Sequence, residues 1–323
     1  MATGTDPSIH RRAPARPGRP ASRAARQYGG VSVAGVGVEA AFELLGELVG
    51  EGEVVVLSGA GLSTESGIPD YRGPTGRRRP ATPMTYQAFT GSAAARQRYW
   101  ARSHVGWRHV TGAAPNAGHR AVAELERRGL VVGTVTQNVD GLHRAAGTRE
   151  VVELHGALDR VRCLGCGVRS SREELDARLT AANPGWSAVS DEVNPDGDVV
   201  LPDALVEGFR TVDCLRCGGV LKPDVIFFGE NVPGERVAEC FGLVERAGLL
   251  LVLGSSLAVM SGYRFVRRAA ELGTPVAIVN QGETRGDADA LLTLDRPLGP
   301  TLTALVDHLG SPASTDHPGH PAS

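Results

Sequence analysis

The chain contains little of several features that would mark it as a specialised class of protein. Aromatic residues are only 5% of its 323 residues, and Lys222 is the single lysine among 34 basic residues. The net charge is −2, so no overall basic field favours nucleic acid as the main partner. No stretch approaches the roughly 18 consecutive apolar residues that a membrane-spanning helix needs. With so few aromatic side chains, alanine, valine and leucine must supply most of the core.

The two ends of the chain have a composition unlike the rest. The first residues, 1–35, are rich in arginine, proline, alanine and glycine, with Asp6 as their only acid. A transit peptide for organelle import, a disordered tail and an over-extended start codon would all give this composition. The prolines oppose the amphipathic helix that import needs, so we expect a disordered tail and a cytoplasmic protein. Residues 311–323 are also expected to be disordered.

Between the tails, short apolar runs typical of buried strands alternate with amphipathic stretches typical of helices. Asn116 and Gly129 fit the N-cap and the C-terminal stop of one such helix. The pattern predicts strands over 54–57, 130–136, 151–154, 249–253 and 275–279, and helices over 38–49, 117–128, 263–272 and 300–309. This order predicts an α/β fold with a doubly wound, parallel, Rossmann-like sheet.

Glycine-rich or polar motifs directly follow four of the predicted strands. Because ligands of such sheets bind outside the carboxyl ends of the strands, all four motifs are expected at one crevice. A strand that runs into Gly-Ala-Gly also lets the backbone approach a phosphate closely. The four motifs are Gly59-Ala60-Gly61, Gln137 to Asp140, Gly254 to Ser256 and Asn280 to Gly282.

The first motif is not the usual dinucleotide fingerprint of a dehydrogenase. Thr64 stands where the third glycine of that fingerprint belongs. No acidic residue follows about 20 residues later to bind an adenosine ribose, and Arg77, Arg78 and Arg79 occupy that region. A plain dehydrogenase therefore fits poorly.

Four of the five cysteines form two CxxC pairs, Cys163 with Cys166 and Cys214 with Cys217. Two such pairs are the ligand set of a tetrahedral thiolate zinc site, although the long segment between them must loop out. Two disulfides are the alternative, but CxxC is a strained spacing for a structural bridge. Four thiolates would close the coordination sphere, so the predicted zinc ion is structural. Cys240 is expected to be an inert core residue.

The string GAGLSTESGIPDYR at 59–72 resembles the signature of the sirtuins, which are NAD-consuming protein deacylases. TQNVDGLH at 136–143, LHG at 154–156, KPDVIFFGE at 222–230, GSSL at 254–257 and VNQG at 279–282 are similar to further sirtuin motifs, in the same order. The resemblance covers roughly residues 38–309. RQRYWARSHVGW at 96–107, NPGWSA at 183–188 and SGYRF at 261–265 look most like the class II branch, whose mitochondrial member is known for lipoamidase activity and ADP-ribosyl transfer.

The resemblance implies an NAD-dependent protein-lysine deacylase that yields nicotinamide, O-acyl-ADP-ribose and free lysine. It implies His155 as the general base, a role that suits an imidazole because it titrates near neutral pH. Asp140 would contact the nicotinamide carboxamide together with the Ile68 backbone, and Asn138 would contact the ribose and an ordered water. From the residues alone, Asn138 and Asp140 could equally form an Asx-turn at the strand exit.

The remaining cofactor contacts are likewise implied by the resemblance. Ser63 and Thr64 could instead be simple helix caps. The expected NAD-binding set is Gly59, Ala60, Gly61, Ser63, Ile68, Asp70, Tyr71, Arg72, Gln137, Asn138, Val139, Asp140, Gly254, Ser255, Ser256, Asn280, Gln281, Gly282 and Leu298.

Acylated-lysine proteins are the implied partners, with the substrate pairing as an added strand beside residues 225–230. The Ile226 carbonyl would accept a hydrogen bond from the substrate lysine, Phe227 would flank its tunnel with Gly229 and Glu230 nearby, and Val259 would lie opposite. Tyr99 and Arg102 have the Tyr-x-x-Arg spacing with which desuccinylating sirtuins hold an acyl carboxylate. An arginine can do so bidentately, although an arginine on a solvated helix face is commoner.

Two other functions remain open from the sequence. One is a protein mono-ADP-ribosyltransferase on the same scaffold, and the other is a non-catalytic NAD-binding zinc module. The expected organisation is a catalytic domain over 36–310, with a Rossmann-like core (36–72, 113–156 and 220–310), a helical cofactor-loop insertion (73–112) and a zinc module (157–219). The oligomeric state is not predicted.

Overall fold

The larger of the two sheets has six strands and is parallel throughout. The computed structural model describes residues 37–72, 83–190 and 192–310. The expected tails, Arg77 to Arg79 and part of the expected cofactor loop lie outside these residues. The strand order of the large sheet is β3-β2-β1-β7-β8-β9. Its strands are β1 (Val54–Ser58), β2 (Val131–Thr136), β3 (Val151–Glu153), β7 (Leu249–Leu253), β8 (Val276–Val279) and β9 (Leu292–Leu294).

Ten α-helices accompany the strands in the described part of the chain. Several predicted helices form within one to three residues of their expected ends, and Asn116 caps its helix by accepting from the N–H groups of Gly118 and His119. The helices are α1 (Val38–Gly50), α2 (Tyr86–Gly91), α3 (Ala93–Gly112), α4 (Ala117–Arg127), α5 (Leu142–Ala145), α6 (Arg172–Ala182), α7 (Asp203–Glu207), α8 (Gly234–Val244), α9 (Met260–Leu272) and α10 (Leu298–His308).

Both faces of the large sheet are covered, because side chains alternate between faces along each strand. On β1, Val54 and Val56 pack against α1, α4 and α10. Val55 and Leu57 pack on the opposite face against α8 and α9. All five residues of β1 are buried, which is why the strand is a continuous apolar run and not an alternating one. The predicted doubly wound parallel sheet is thus confirmed.

A smaller antiparallel sheet carries the cysteine pairs. Its order is β5-β4-β6, with β4 (Gly156–Cys163), β5 (Arg169–Ser171) and β6 (Leu221–Val225). The predicted organisation placed residues 220–225 in the Rossmann-like core, and the structure corrects this assignment. The cause is pairing: β6 lies antiparallel to β4, with Cys163 opposite Leu221, so the strand belongs to the small sheet.

The helical insertion and the small sheet share one hydrophobic core. Phe89 of α2 and Tyr99 of α3 pack in the same buried cluster as Val161 of β4 and Val225 of β6. The indole N–H of Trp100 donates to the Leu221 carbonyl at 3.2 Å. The two segments, which the sequence suggested were separate modules, therefore form a single lobe beside the large sheet.

Two histidines are buried beneath the carboxyl end of β1. The His143 Nε2–H donates to the Ser58 hydroxyl at 2.8 Å, since that hydroxyl itself donates to Thr136. The His119 and His143 rings lie 5.2 Å apart, and His119 Nε2 and His143 Nδ1 are buried without a hydrogen-bond partner. Burial lowers the pKa of His119 to about 4 and that of His143 to about 3.

These two rings should make the protein sensitive to mild acid. Their folded-state pKa values lie below the unfolded value of about 6.5, so the unfolded chain binds more protons and stability falls as pH drops below that value. Each ring contributes a slope of up to about 1.4 kcal/mol per pH unit. The free energy of unfolding can be measured by urea denaturation at pH values from about 7.5 to about 5.5. It should fall less steeply with decreasing pH in His143→Gln than in the wild type. The control His109→Gln changes an exposed ring, and equal slopes for all three proteins would contradict the prediction.

Candidate functional site

The point where the strand order reverses brings three glycines into backbone contact. The chain runs from β1 to β2 on one side and places β7 on the other, so a crevice opens between their carboxyl ends. Gly61 N–H donates to the Gly254 carbonyl at 2.8 Å. A Cβ added to Gly59 would lie 2.8 Å from the Gly254 carbonyl oxygen, and Gly254 has a φ of +62°. Only glycine fits this close approach, which brings the backbones of the loops after β1 and β7 into direct contact.

Side chains from the end of β2 form hydrogen bonds to the loops after β1 and β7, on both sides of the crevice. The Asn138 amide donates to the Gly59 carbonyl and to the Ser63 hydroxyl, each at 3.0 Å. The Gln137 amide donates to the Ser255 hydroxyl at 2.8 Å. Motifs that are some 80 and 120 residues apart in the chain are therefore held together by direct hydrogen bonds, as expected for the ends of neighbouring parallel strands.

Asp140 forms the Asx-turn that its motif allowed and also contacts Ser63 across the crevice. Its Oδ1 accepts from the Leu142 N–H at 2.9 Å, which is an Asx-turn, and its Oδ2 accepts from the Ser63 hydroxyl at 2.7 Å. Burial raises the pKa of this carboxyl, and the two hydrogen bonds act in the opposite direction. Ser63 therefore contacts the site and caps no helix, while the Thr64 hydroxyl donates to the Gly61 carbonyl at 2.9 Å.

His155 lies at the floor of the crevice in a defined tautomer. Its Nδ1 is 2.9 Å from the Gln137 carbonyl, which can only accept, so Nδ1 carries the hydrogen. Nε2 is then an acceptor, and the Ser261 hydroxyl donates to it at 2.9 Å. Burial lowers the pKa of His155, and Arg236 and Arg264 add to this effect. The ring is therefore neutral near pH 7, and the lone pair of Nε2 accepts from Ser261.

The crevice widens into a cavity of about 830 Å³ that most of the predicted site residues line. Every residue of the predicted catalytic and NAD-binding sets lines it, and so do the predicted substrate residues except Arg102. Sequence reasoning missed Ser261 and Arg264, although both belong to a motif noted only for its family likeness. It also missed Pro195, Asp196 and Gly197, for which no local pattern gave a signal.

The segment that follows β6 is held rigidly over His155. The Ile226 N–H donates to the His155 carbonyl at 2.8 Å, and the Phe227 N–H donates to Glu230 Oε2 at 2.9 Å. Glu230 Oε2 also pairs with the ammonium of Lys222 at 2.9 Å, and that ammonium lies 4.4 Å from the centre of the Phe227 ring. Burial lowers the pKa of Lys222. A buried ion pair and a cation–π contact thus fix the ring of Phe227.

Of the predicted pair Tyr99 and Arg102, only Tyr99 lines the cavity. Tyr99 is 1% exposed, and its ring lies 5.2 Å from that of Phe227, at the cavity wall. Arg102 points to another partner: its Nε is 3.2 Å from Asp198 Oδ2, and its Nη2 is 3.2 Å from Oδ1. The role of Arg102 as a carboxylate clamp remains a prediction, and in this structure its guanidinium is already paired.

At the far end of the crevice, residues after β8 form a small polar turn. The Asn280 amide donates to the Gly282 carbonyl at 2.8 Å, and the Gly282 N–H donates to Asp295 at 3.2 Å. Leu298 is 5% exposed and begins α10 beside this turn. Glu65, in the loop that follows β1, accepts from the Gly299 N–H at 2.9 Å, which connects that loop to α10.

The four cysteines of the CxxC pairs form one cluster on the small sheet. All four Sγ atoms lie within 4.8 Å of one another, with Cys163 and Cys217 3.5 Å apart and Cys166 and Cys214 3.8 Å apart. Zinc–sulfur bonds of about 2.3 Å in a tetrahedron place the sulfurs about 3.8 Å apart, so this set fits a zinc ion. A hydrogen bond from the Cys166 N–H, and a weaker one from the Gly165 N–H, lower the pKa of Cys163 to about 6. The lower pKa favours the thiolate form, which is the form that binds a metal.

Fold and site together define an α/β nucleotide-binding protein with four cysteines placed to hold a metal ion. The family follows from comparison with known proteins. Residues 59–261 match the Sir2 family. The chain is 63% identical to NAD-dependent protein deacetylase 1 of Streptomyces coelicolor over 259 residues, which cover 80% of this chain and 87% of the relative. The chain therefore belongs to the Sir2 family, and the resemblance to sirtuins is confirmed at this level.

Two further comparisons agree. NAD-dependent protein deacetylase 1 of Mycobacterium avium is 52% identical over 278 residues, covering 84% of this chain and 96% of the relative. A solved structure described as "Sir2-p53 peptide-NAD+" superposes with a TM-score of 0.66 at 31% identity, covering 83% of this chain and 98% of that chain. No helix in the part of the chain that the structure describes is long and apolar enough to cross a membrane.

The close approach at the switch point can be tested with two glycines of similar φ. Gly254→Ala would place its Cβ 2.5 Å from Leu62 N and 2.7 Å from Gly61 C, while a Cβ at Gly273, with a φ of +72°, meets nothing within 4 Å. Both substitutions carry the left-handed cost of roughly 1–2 kcal/mol. Gly254→Ala should lose a further 1–3 kcal/mol or so through overpacking. Equal losses of unfolding free energy in the two variants would show that the contact is unimportant.

The cysteine cluster predicts which substitutions release metal. Cys166→Ser and Cys214→Ser each remove one ligand and should lower the zinc content measured by mass spectrometry well below one ion per chain. Their melting temperature should fall as well, because metal binding contributes to folding. Cys240→Ala is the control, since Cys240 is buried in α8 away from the cluster. Full zinc content in Cys166→Ser would refute the assignment.

Proposed function

We propose that this protein is an NAD-dependent protein-lysine deacylase that releases nicotinamide, O-acyl-ADP-ribose and free lysine. The relatives named NAD-dependent protein deacetylase support this proposal, as does the likeness to a Sir2 structure with peptide and NAD. The observation that carries it is the position of His155. Its Nε2 is an acceptor at the edge of the cavity that Asn138 and Asp140 also line.

The role of His155 follows from its surroundings. NAD, when bound, supplies an electrophilic ribose carbon once its nicotinamide leaves. His155 would accept a proton from a ribose hydroxyl at Nε2, the position where Ser261 now donates. The Gln137 carbonyl holds the other ring nitrogen and would stabilise the imidazolium that forms.

Asn138 and Asp140 would act by position. Their side chains are already oriented by Ser63 and by the Gly59 carbonyl. Such preorganisation lowers the cost of holding the nicotinamide amide and the ribose in a reactive geometry. Asn280 to Gly282 and Leu298 would hold the adenosine, and Gly59 to Gly61 with Gly254 to Ser256 would hold the phosphates at the switch point.

The substrate would be an extended peptide with an acylated lysine. Residues 226–230 follow the last residue of β6, and the Phe228 carbonyl already accepts from the Tyr86 N–H at 2.9 Å. A peptide added beside this segment would gain affinity from its backbone and little sequence preference. Val259 is 37% exposed at the opposite rim, where it would cover the lysine stem.

Two finer assignments belong to the same proposal. A class II identity, with acyl groups longer than acetyl, is supported by the three sequence segments that resemble that branch. A cytoplasmic location is supported by the five cysteines, none of which forms a disulfide, as is usual in a reducing compartment.

His155→Ala should reduce nicotinamide release from NAD by at least about 100-fold in the presence of an acyl-lysine peptide. Mass spectrometry of the peptide and of the soluble products would follow the reaction. His109→Ala, at an exposed site outside the cavity, is the control. The wild-type rate should fall only as pH drops through the lowered pKa of His155, because the protonated ring cannot accept a proton.

The same assay separates the competing functions. NAD labelled in its adenine should leave the label in O-acyl-ADP-ribose, whereas label retained on protein would favour a mono-ADP-ribosyltransferase. Absence of nicotinamide release from NAD with every acyl-lysine peptide tested would refute the deacylase. Deacylation of the enzyme's own lysines should add little to the measured nicotinamide, because Lys222 is the only lysine of the chain and is 4% exposed.

A further inference from the structure

A short acidic segment from the zinc-binding lobe forms one wall of the cavity. We name residues 194–198 (Asn-Pro-Asp-Gly-Asp) the acidic loop. Pro195, Asp196 and Gly197 line the cavity together with His155 and Phe227. The loop lies between α6 and α7 in sequence, far from every motif that predicted the site.

The acidic loop is fixed by backbone packing. A Cβ on Gly106 of α3 would collide with the Gly197 carbonyl oxygen and would lie 2.9 Å from Asp198 Cα. A Cβ on Gly197 would lie 2.7 Å from Leu158 and 2.8 Å from Val110. Two glycines therefore allow the loop to press against α3 and β4. The structure thus seats the loop in direct contact with the lobe's core.

Internal hydrogen bonds close the loop on itself. The Asn194 N–H donates to the Asp198 carbonyl at 2.8 Å, and the Asn194 amide donates to Asp198 Oδ1 at 2.6 Å. The Gly197 N–H donates to the Asn194 carbonyl at 2.9 Å. Asp198 is also the partner of Arg102, whose Nε donates to the Val199 carbonyl at 2.5 Å. Asp198 is thus fully engaged in holding the loop.

Asp196 is the other carboxyl of the loop, and its side chain is hydrogen-bonded to that of Asp198 through one oxygen only. Its Oδ1 is buried and has no hydrogen-bond partner. The charged and titratable groups that face it are Asp198 on the loop, Arg102 and Tyr99 on α3, and Tyr71 from the first loop. Burial, followed by the charge of Asp198, raises the pKa of Asp196 to about 7. An unsatisfied carboxyl at a cavity wall is costly unless a ligand group pairs with it.

The part of the cavity next to this carboxyl is apolar. Tyr99 and Phe227 have ring centres 5.2 Å apart, and Leu158, Val110 and Ile68 line the same cavity. An acyl chain that passes Phe227 would therefore run along apolar side chains toward the acidic loop. The polar group it would meet there is a carboxyl, while the guanidinium of Arg102 is held by Asp198.

We propose that Asp196 selects the acyl group of the substrate: it excludes acyl chains that end in a carboxylate and favours uncharged chains that carry a hydrogen-bond donor, such as hydroxyacyl-lysine. This inference rests on the proposed deacylase function. A terminal carboxylate beside ionised Asp196 would add a second unpaired negative charge in a poorly solvated site. A hydroxyl would instead donate to the unpartnered Oδ1.

The test compares kcat/KM for glutaryl-lysine, hydroxybutyryl-lysine and butyryl-lysine in one peptide sequence. In the wild-type protein, the hydroxybutyryl-to-butyryl ratio should exceed one and the glutaryl-to-butyryl ratio should lie well below one. Asp196→Asn should raise the glutaryl-to-butyryl ratio by at least about tenfold, which corresponds to about 1.4 kcal/mol. Asp203→Asn is the matched control, because Asp203 is a solvent-exposed aspartate of α7 outside the cavity.

A second measurement needs no variant. The glutaryl carboxylate is ionised throughout neutral pH, so the glutaryl-to-butyryl ratio should fall in the wild type as pH rises through about 7 and Asp196 ionises. The titration of His155 cancels in this ratio, since it acts on both substrates. In Asp196→Asn the ratio should not vary with pH.

The outcomes distinguish this inference from the proposed function. Turnover of butyryl-lysine with an unchanged ratio in Asp196→Asn, or a wild-type preference for glutaryl-lysine, would overturn the inference and leave the deacylase standing. The second of these results would instead support Arg102 as a carboxylate clamp. Turnover of none of the peptides would overturn both.

Discussion

The contact between the first glycine loop and Gly254 is the constraint on which the site depends. Gly59 and Gly61 follow β1, and Gly254 follows β7, so their contact joins the two halves of the doubly wound sheet at its switch point. The two backbones meet at the crevice, and a Cβ on any of the three glycines would be too close to the facing chain. The ends of β2 and β8 then place Asn138 and Asn280 around the same opening.

The second lobe forms one wall of the cavity. One hydrophobic core unites α2 and α3 with the small sheet, and the cysteine cluster anchors the turns at one end of that sheet. This rigid lobe holds Phe227 over His155 through β6 and holds the acidic loop against α3. A metal ion held by the four cysteines would stabilise the strands that carry this wall of the cavity.

The only lysine of the chain serves the site as a structural cation. Lys222 is buried, pairs with Glu230 and lies over the ring of Phe227. Every other basic side chain is arginine or histidine, so the described surface presents no lysine ammonium to be acylated. A protein that acts on acylated lysine would therefore not compete with its substrates through its own side chains.

The sequence by itself determined the parallel sheet, the boundaries of four of the ten described helices to within three residues, and the four motifs around the crevice. These features are local: apolar runs, caps and glycine turns are written in consecutive residues, and parallel strands bring their ends together wherever they pair. Only the tertiary structure decided that β6 joins the small sheet, that Asp198 engages Arg102, and that Asp196 reaches the cavity. Those outcomes depend on packing between residues nearly 100 positions apart, as between Arg102 and Asp198, and no periodicity or spacing within a segment encodes such contacts.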